Sequence, residues 1–322
     1  MKLLTGVAIP DYPFRLDHRT RLLMMGSCFT ENVGRVLERY LFHIRVNPFG
    51  VTYNPLSVAR QLHALMHREE YSEADMLQHD GLWFSFDHYT RFSSPDRAEA
   101  LRNINDSFKA AKQVLPEAGC LILSLGTAWV YRYRSTGDVV CNCHRIPASR
   151  FSRSRLSVKE ITAALDPLIS ELLRRKEDLK ILLTVSPVRH WKDGAHGNQL
   201  SKAALLLACE ELAGRFGGKV FYFPSYEIVM DELRDYRFYA DDMLHISPGA
   251  ITYIWEKFSG SLVSTESAGI IRELEALLKM MEHRPVRTEG EADEAFARKR
   301  DEKRGELRSL YPWLAWENLS GK

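Results

Sequence analysis

The amino-acid sequence predicts an α/β fold with a doubly wound parallel sheet of about five strands in a flavodoxin-like order. Short apolar runs recur along the chain, and each is followed by a turn-forming segment. Between these runs, apolar residues recur at spacings of three and four, which is the spacing of one helix face. Strands that alternate with helices favour parallel pairing, and active sites of such sheets form at the carboxyl ends of the strands.

The first fifty residues predict a complete β-α-β unit. Residues 21–25 form an apolar run that ends at Gly26, and residues 30–41 carry apolar side chains at helical spacing. A second short run at 43–46 is closed by the turn-forming residues 47–50. We therefore expect two parallel strands joined by a helix.

The middle of the chain predicts an insertion followed by a third strand. Residues from about 53 to 118 are polar and helix-rich, and we interpret them as a helical insertion that covers the edge of the sheet. Residues 120–125 form a continuous apolar run, which is typical of a strand buried on both faces.

The alternation continues through the second half of the sequence. Ser157 and Glu160 form a capping box before a helix whose apolar residues recur at helical spacing. A strand is predicted at 181–185, a long helix at 199–216 and a last strand at 220–223. These segments complete the five predicted strands.

Composition and charge limit the domain organisation and the partners. We expect one α/β domain over residues 1–262 and a charged helical C-terminal extension over residues 263–322, ending in an aromatic tail that docks on the protein. Acidic residues interrupt the basic ones at 298–304, which indicates a solvated helix and not a nucleic-acid arm. With 44 basic and 42 acidic residues, the net charge of +2 does not favour nucleic-acid binding. Oligomeric state is not indicated.

The cysteines and the N-terminus indicate a cytoplasmic protein. Five cysteines do not form an even disulfide framework, and Cys120 and Cys209 lie in apolar runs typical of a core. The first residues offer an apolar stretch too short for a secretion signal. Since no apolar run is long enough to cross a bilayer, we expect no membrane partner.

A serine nucleophile is predicted at the first strand end. Ser27 lies in the turn before the first helix, where backbone N–H groups favour developing negative charge. A serine hydroxyl needs a base and a group that orients the base. The segment from Asp242 to His245 supplies both, because a carboxylate three residues away can fold back onto Nδ1 and leave Nε2 for Ser27. The pattern predicts a Ser-His-Asp triad.

Other assignments of the reactive groups are weaker. Asp241 is one residue away from the expected orienting position, and Cys28, as the neighbour of Ser27, points in a different direction. The cysteines at 141 and 143 with His144 lack a second matching pair for zinc, so we expect no metal and no cofactor.

The residues at 26–29, combined with the late Asp-x-x-His, resemble the GSCFA family, a bacterial group related to the SGNH (GDSL-like) hydrolases. The similarity runs from about residue 26 to about residue 258 and includes the segments 47–55 and 186–190. The resemblance implies an SGNH-like hydrolase domain with the triad of Ser27, His245 and Asp242.

The resemblance also implies an oxyanion hole. In the superfamily its donors are the serine and a glycine backbone N–H, here Ser27 and Gly50, and an asparagine side chain after the third strand. Ala128 stands at the position of that asparagine. Trp129 Nε1 and Asn142 are candidate replacements, and we prefer Asn142.

Four further positions are expected to bind substrate: Gly126, Trp129, Arg189 and His190. Arg189 could hold a carboxylate or phosphate, although residues 189–198 also fit a solvated surface loop. The implied function is hydrolysis of O-acyl, including O-acetyl, esters of carbohydrates or small molecules. An acyltransferase with the same triad, or a binding module that lost activity with the asparagine, are the alternatives.

Overall fold

The computed structural model describes residues 5–282 and 291–319 of the chain. Within these residues the strands are β1 (Leu22–Gly26), β2 (Ile44–Val46), β3 (Leu77–His79), β4 (Leu82–Phe84), β5 (Cys120–Leu125), β6 (Trp129–Tyr133), β7 (Val139–Val140), β8 (Phe151–Arg155), β9 (Lys180–Val185) and β10 (Val220–Phe223). The helices are α1 (Cys28–Arg39), α2 (Pro55–His67), α3 (Arg97–Val114), α4 (Val158–Arg175), α5 (Gly194–Arg215), α6 (Ser225–Glu227), α7 (Pro248–Leu262), α8 (Thr265–Glu282) and α9 (Glu291–Leu310).

Five strands form the central sheet in the order β10-β9-β5-β1-β2. Every neighbouring pair in this sheet is parallel. The prediction of a five-stranded, doubly wound α/β fold with helices on both faces is therefore confirmed. The order reverses at β1, so the carboxyl ends of β1 and β5 border the crevice where ligands bind in such sheets.

Alternating side chains of the central strands supply two separate core layers. Leu23 and Leu121 pack in the layer that holds α2, α3, α4 and α5, whereas their neighbours Leu22 and Cys120 pack in the layer that holds α1 and α7. Because successive side chains of a strand point to opposite faces, a strand covered on both sides must be apolar throughout. This explains the continuous apolar runs. The predicted core positions of Cys120 and Cys209 are confirmed, since both are buried.

Two parts of the structure differ from the predicted elements. The insertion contains two α-helices, α2 and α3, and the antiparallel pair β3 and β4 lies between them. A second antiparallel sheet, in the order β7-β6-β8, follows β5 and was not predicted. Its strands are short and carry arginine and serine on partly exposed positions, so the two-residue alternation of apolar side chains is weak.

The C-terminal part is helical and packs on the α/β domain. Leu41 lies in one apolar cluster with residues of α8, α9 and the final aromatic segment, including Trp316. Ala315 N also donates a 3.0 Å hydrogen bond to Leu41 O. Residues 283–290 and 320–322 of the predicted extension lie outside the described residues, and the domain boundary after residue 262 stays a prediction. No helix in the described part of the chain combines the length and the apolarity needed to cross a bilayer.

We expect Gly26→Ala to destabilise the protein far more than Gly137→Ala. Both glycines have positive φ, +136° and +76°, but a Cβ at Gly26 would overlap Ser124 O whereas a Cβ at Gly137 meets open space. Backbone strain alone should lower the free energy of unfolding by about 1–2 kcal/mol in both variants. The added overlap should cost Gly26→Ala at least about 2 kcal/mol more. Urea unfolding of both variants measures this difference, and equal losses would show that β1 and β5 do not approach as closely as described.

Candidate active site

A cavity of about 590 Å³ lies at the carboxyl-end edge of the central sheet. Thr127 after β5 and the loop residues 188–193 after β9 line it. The small sheet of β6, β7 and β8 forms another wall, and His245, before α7, completes the lining. This is the edge at which the fold predicts a site.

Asp242 and His245 form a hydrogen-bonded pair in the turn before α7. Asp242 Oδ1 accepts hydrogen bonds of 2.9 Å from the backbone N–H groups of Leu244 and His245. Asp242 Oδ2 lies 2.5 Å from His245 Nδ1. The His245 side-chain contact, together with the two backbone N–H groups, lowers the pKa of the Asp242 carboxyl to about 2. Asp242 is therefore ionised near neutral pH and holds the His245 ring with Nδ1 toward itself.

Ser27 is the N-cap of α1 and is buried. Its Oγ accepts a hydrogen bond from Phe29 N (3.2 Å) and lies 2.9 Å from Ser124 Oγ, one residue before the end of β5. Neither partner is His245, whose side chain is 55% exposed. The structure thus brings Ser27 and His245 to the same edge of the sheet without a hydrogen bond between them.

The neighbouring thiol is a poor alternative to the serine. Cys28 Sγ lies 3.5 Å from Tyr53 OH. Burial is the main effect that raises the pKa of the Cys28 thiol, so the reactive thiolate is disfavoured.

The two backbone donors expected for the oxyanion hole are already occupied. Ser27 N donates to Ser124 O (3.1 Å), because the pairing of β1 with β5 continues one residue beyond Gly26. Gly50 N donates to Asn47 O (2.8 Å) and closes the turn after β2. In this conformation both N–H groups have backbone partners, and the assignment of Ser27 and Gly50 to an oxyanion hole stays a prediction.

The two candidate replacements for the missing asparagine both line the cavity. Asn142 Oδ1 accepts a hydrogen bond of 2.8 Å from His144 N. Trp129 Nε1 is buried and has no hydrogen-bond partner among the described residues. Ala128 itself is buried, and its N–H donates to Ser201 Oγ (2.7 Å). A buried donor without a partner is costly, and Trp129 Nε1 is such a donor in a residue that lines the cavity.

The remaining expected substrate contacts divide into two groups. Arg189 and His190 line the cavity. Gly126 packs against the backbone of Tyr53 and does not line the cavity, whereas its neighbour Thr127 does. His190 Nε2 is buried without a hydrogen-bond partner in the described part of the chain. Burial, followed by nearby cationic side chains, lowers the pKa of His190 to about 3, so its ring is neutral near neutral pH.

No group of three or more His, Cys, Asp or Glu side chains within residues 5–282 and 291–319 could hold a metal ion. The thiol of Cys141 contacts Thr52 Oγ1 (3.3 Å), and His144 Nε2 is within hydrogen-bond distance of the Ser85 and His88 carbonyls. These side chains therefore have separate structural contacts.

Lys202 holds segments that adjoin the cavity, and the sequence did not predict this role. It is buried on α5, and its Nζ donates to Gly126 O (2.7 Å) and Ser186 O (2.6 Å). One ammonium thus joins the segments that follow β5 and β9. Helical spacing could have indicated that Lys202 is buried, because it shares the buried face of α5 with Leu205 and Cys209.

We expect the stability contribution of Lys202 to depend on pH. Burial and the nearby Arg189 charge lower the pKa of Lys202 to about 7, while the unfolded lysine keeps its ordinary value of 10.5. Above pH 7 the unfolded chain binds more protons at this residue, so the free energy of unfolding rises with pH. The wild-type value minus the Lys202→Met value should increase by about 2 kcal/mol between pH 7 and pH 9. Denaturant unfolding at both pH values measures it, and a constant difference would contradict the expectation.

Two solved structures are similar to the chain only at a low level. One is a protein from Streptococcus pneumonia provisionally described as a platelet activating factor, with 14% identity, a TM-score of 0.36, and coverage of 75% of this chain and 82% of that chain. The other is an acetyl xylan esterase (Est2A) from the rumen bacterium Butyrivibrio proteoclasticus, with 10% identity, a TM-score of 0.31, and coverage of 78% and 65%. Scores this low establish neither a shared overall fold nor a shared function.

Sequence comparison gives a clear family assignment. No curated protein matches the chain significantly. The profile of the GSCFA family matches residues 21–258, which include β1, the Asp242–His245 turn and every strand of the central sheet. The chain belongs to the GSCFA family.

Proposed function

We propose that this protein is a serine esterase related to the SGNH hydrolases, with Ser27 as nucleophile, His245 as base and Asp242 as its orienter. The observation that carries the proposal is the 2.5 Å contact between Asp242 Oδ2 and His245 Nδ1, at the edge of a cavity that His245 lines. This contact leaves Nε2 to exchange a proton with a substrate or nucleophile. Among the described residues, Nε2 has no protein partner that would compete.

The position of Ser27 supports its role as nucleophile. It lies where the carboxyl end of β1 meets the N-terminus of the 12-residue helix α1. This helix end favours the negative charge that develops during acyl transfer. For reaction, the Ser27 hydroxyl must exchange Ser124 Oγ for His245 Nε2. Rotation between staggered positions of χ1 is the movement available to a serine side chain.

The proposed reaction has two halves. Ser27 Oγ attacks the carbonyl carbon of the ester while its proton passes to His245 Nε2, and the alcohol leaves with that proton. A water molecule then gives a proton to His245 and attacks the acyl-serine. Return of that proton to Ser27 Oγ releases the carboxylic acid. Throughout, Asp242 holds the Nδ1–H and stabilises the imidazolium.

Side chains supply the proposed oxyanion donors, because the Ser27 and Gly50 N–H groups are occupied. Trp129 Nε1–H is the first candidate, since it is buried, unpaired within the described residues and part of a residue that lines the cavity. The Asn142 amide is the second, with its Oδ1 engaged by His144 N. One such donor typically contributes about 10²–10³ in rate.

Exposure of the base favours hydrolysis over acyl transfer to another alcohol. The side chains of His245 and Asp242 are 55% and 47% exposed, so water reaches the proposed base directly. The proposed substrates are O-acyl, including O-acetyl, esters of carbohydrates or small molecules, in keeping with the resemblance to SGNH hydrolases. The volume of about 590 Å³ suits a small substrate.

A fluorophosphonate probe should label Ser27 in the folded protein. Ser27→Ala should abolish labelling and lower ester hydrolysis at least about 10³-fold, because the acyl-enzyme cannot form. Cys28→Ala is the matched control and should still be labelled. Mass spectrometry of the modified peptide identifies the residue.

Other labelling results would contradict the assignment of Ser27 as nucleophile. Absence of labelling from folded wild-type protein, or equal labelling of Ser27→Ala, would overturn the assignment of Ser27. Loss of labelling in Cys28→Ala alone would transfer the nucleophile to the thiol.

Removal of the Asp242 charge should impair catalysis through His245. We expect Asp242→Asn to lower kcat by about 10²–10⁴, because the amide no longer stabilises the imidazolium or fixes the tautomer. The matched control is Asp241→Asn, which neutralises the adjacent exposed carboxylate and should retain activity. Steady-state kinetics with an activated acetyl ester measures both variants. Equal effects of the two substitutions would show a general charge effect, and would contradict the role of Asp242.

A further inference from the structure

The cavity carries cationic side chains that have no carboxylate partner in the described part of the chain. Arg153 forms an ion pair with Asp193, whose side chain is only 1% exposed, so these two charges balance each other. Arg189 and Lys192 also line the cavity, and their contacts are with aromatic residues: Arg189 lies over Trp191, and Lys192 Nζ donates to Tyr131 OH (2.9 Å). The cavity wall therefore has an excess of positive charge.

Arg189 is the better placed of these two cations to bind an anion. Lys192 is exposed, whereas Arg189 is half-buried. Its guanidinium carbon lies 4.9 Å from the centre of the Trp191 ring, which restrains the planar group while leaving its N–H donors available. Arg189 has no protein counter-ion in the described part of the chain, and a partly buried ion pair with a ligand is screened less than an exposed one. A planar guanidinium binds carboxylate and phosphate groups through two parallel hydrogen bonds.

Nearby positive charge contributes to the lowered pKa values of two groups around Arg189. Burial first, and then the charge of Arg189, lower the pKa of Lys202, which lies at the ends of β5 and β9. His190 responds in the same direction to burial and then to Lys202, Arg153 and His245. A cleft with charge of one sign and low-dielectric walls concentrates ligands of the opposite charge.

Aromatic rings make up much of the remaining wall. Trp129, Tyr131, Phe151 and Trp191 all line the cavity, and Trp191 is 50% exposed at its rim. An exposed large aromatic side chain beside a cavity is typical of a binding surface. Flat apolar faces suit the C–H faces of a sugar ring, while Trp129 Nε1 and His190 Nε2 offer unused polar atoms.

We propose that the substrate is an acyl ester of an anionic sugar, and that Arg189 binds its carboxylate or phosphate group. This assignment rests on the proposed esterase function and narrows its substrate class. Arg189 acts as a substrate-binding residue that sets specificity, and the triad chemistry is unchanged.

Binding of non-ester sugars to the full-length Ser27→Ala variant tests the proposal without turnover. Two pairs of ligands differ in one charged group: galacturonic acid against galactose, and glucose 6-phosphate against glucose. Each is titrated by NMR or calorimetry at low salt into Ser27→Ala alone and combined with Arg189→Gln, Arg189→Lys or Arg174→Gln. Arg174 is exposed on α4, away from the cavity, and gives the matched loss of one arginine.

We expect at least one anionic sugar to bind about 10-fold or more tightly than its neutral partner, as charged hydrogen bonds typically provide. Arg189→Gln should remove this preference, Arg189→Lys should retain part of it, and Arg174→Gln should leave it intact. A preference for galacturonic acid would identify the bound group as a carboxylate, and a preference for glucose 6-phosphate would identify it as a phosphate. Equal affinity within both pairs, including no binding by any of the four sugars, overturns the proposal, as does a preference that survives Arg189→Gln.

Failure of the proposed anion binding and failure of the proposed esterase function give different experimental results. Binding by Ser27→Ala does not depend on a reactive serine, so an Arg189-dependent anion preference can be found even where the probe does not label Ser27. That combination would leave an anion-binding cavity without the proposed chemistry. Labelling of Ser27 without an anion preference would leave an esterase whose substrates are neutral.

Discussion

Parallel hydrogen bonding between β1 and β5 continues to the last residue of β1, where Gly26 lies opposite Ser124. The next residue keeps the contact, since Ser27 N donates to Ser124 O and the two serine hydroxyl oxygens are 2.9 Å apart. Only glycine permits this approach, because any Cβ at position 26 would overlap Ser124 O. The register of this one strand pair therefore places Ser27, starts α1 and defines the edge of the sheet that carries the cavity.

A buried lysine connects the ends of two neighbouring strands at the same edge of the sheet. Lys202 links the carbonyl groups of Gly126 and Ser186, which follow the neighbouring strands β5 and β9. Burying an ammonium is costly, and two carbonyl oxygens offset that cost only when the geometry is good. The segments after β5 and β9 are thereby fixed relative to each other. They carry Thr127 on one side of the cavity, and Arg189 and His190 on the other.

For the proposed reaction, the Ser27 hydroxyl must give up its hydrogen bond with Ser124 Oγ. Ser27 is buried and paired with Ser124, whereas the Asp242–His245 pair is exposed and complete without it. A hydroxyl that has a partner at rest exchanges one hydrogen bond for another when it turns to a base, so the net change in free energy is small. Trp129 Nε1 and His190 Nε2, which lack partners among the described residues, are the polar atoms that a bound substrate would satisfy.

The family match and the Asp242–His245 turn are independent observations on the same part of the chain. The GSCFA match runs from residue 21 to residue 258, beyond the Asp242–His245 turn. The contact between Asp242 and His245 follows from geometry within one turn, where Met243 has a φ of +57°. Neither the family match nor the turn indicates the excess of positive charge in the cavity. That excess depends on tertiary contacts, because Arg153 pairs with Asp193 whereas Arg189 has no carboxylate partner in the described part of the chain.

The sequence by itself determined the five central strands and the position of the Asp242–His245 pair within one loop. Continuous apolar runs and a three-residue spacing are local patterns, and their physical consequences are decided within a few residues. Only the tertiary structure decided the sheet of β6, β7 and β8, the burial of Lys202 and the pairing of Ser27 with Ser124. Each of these joins residues far apart in the chain, and the two serines are 97 positions apart. Such contacts depend on strand register and on competition among distant partners, as with the Ser27 and Gly50 N–H groups that nearby carbonyls already occupy.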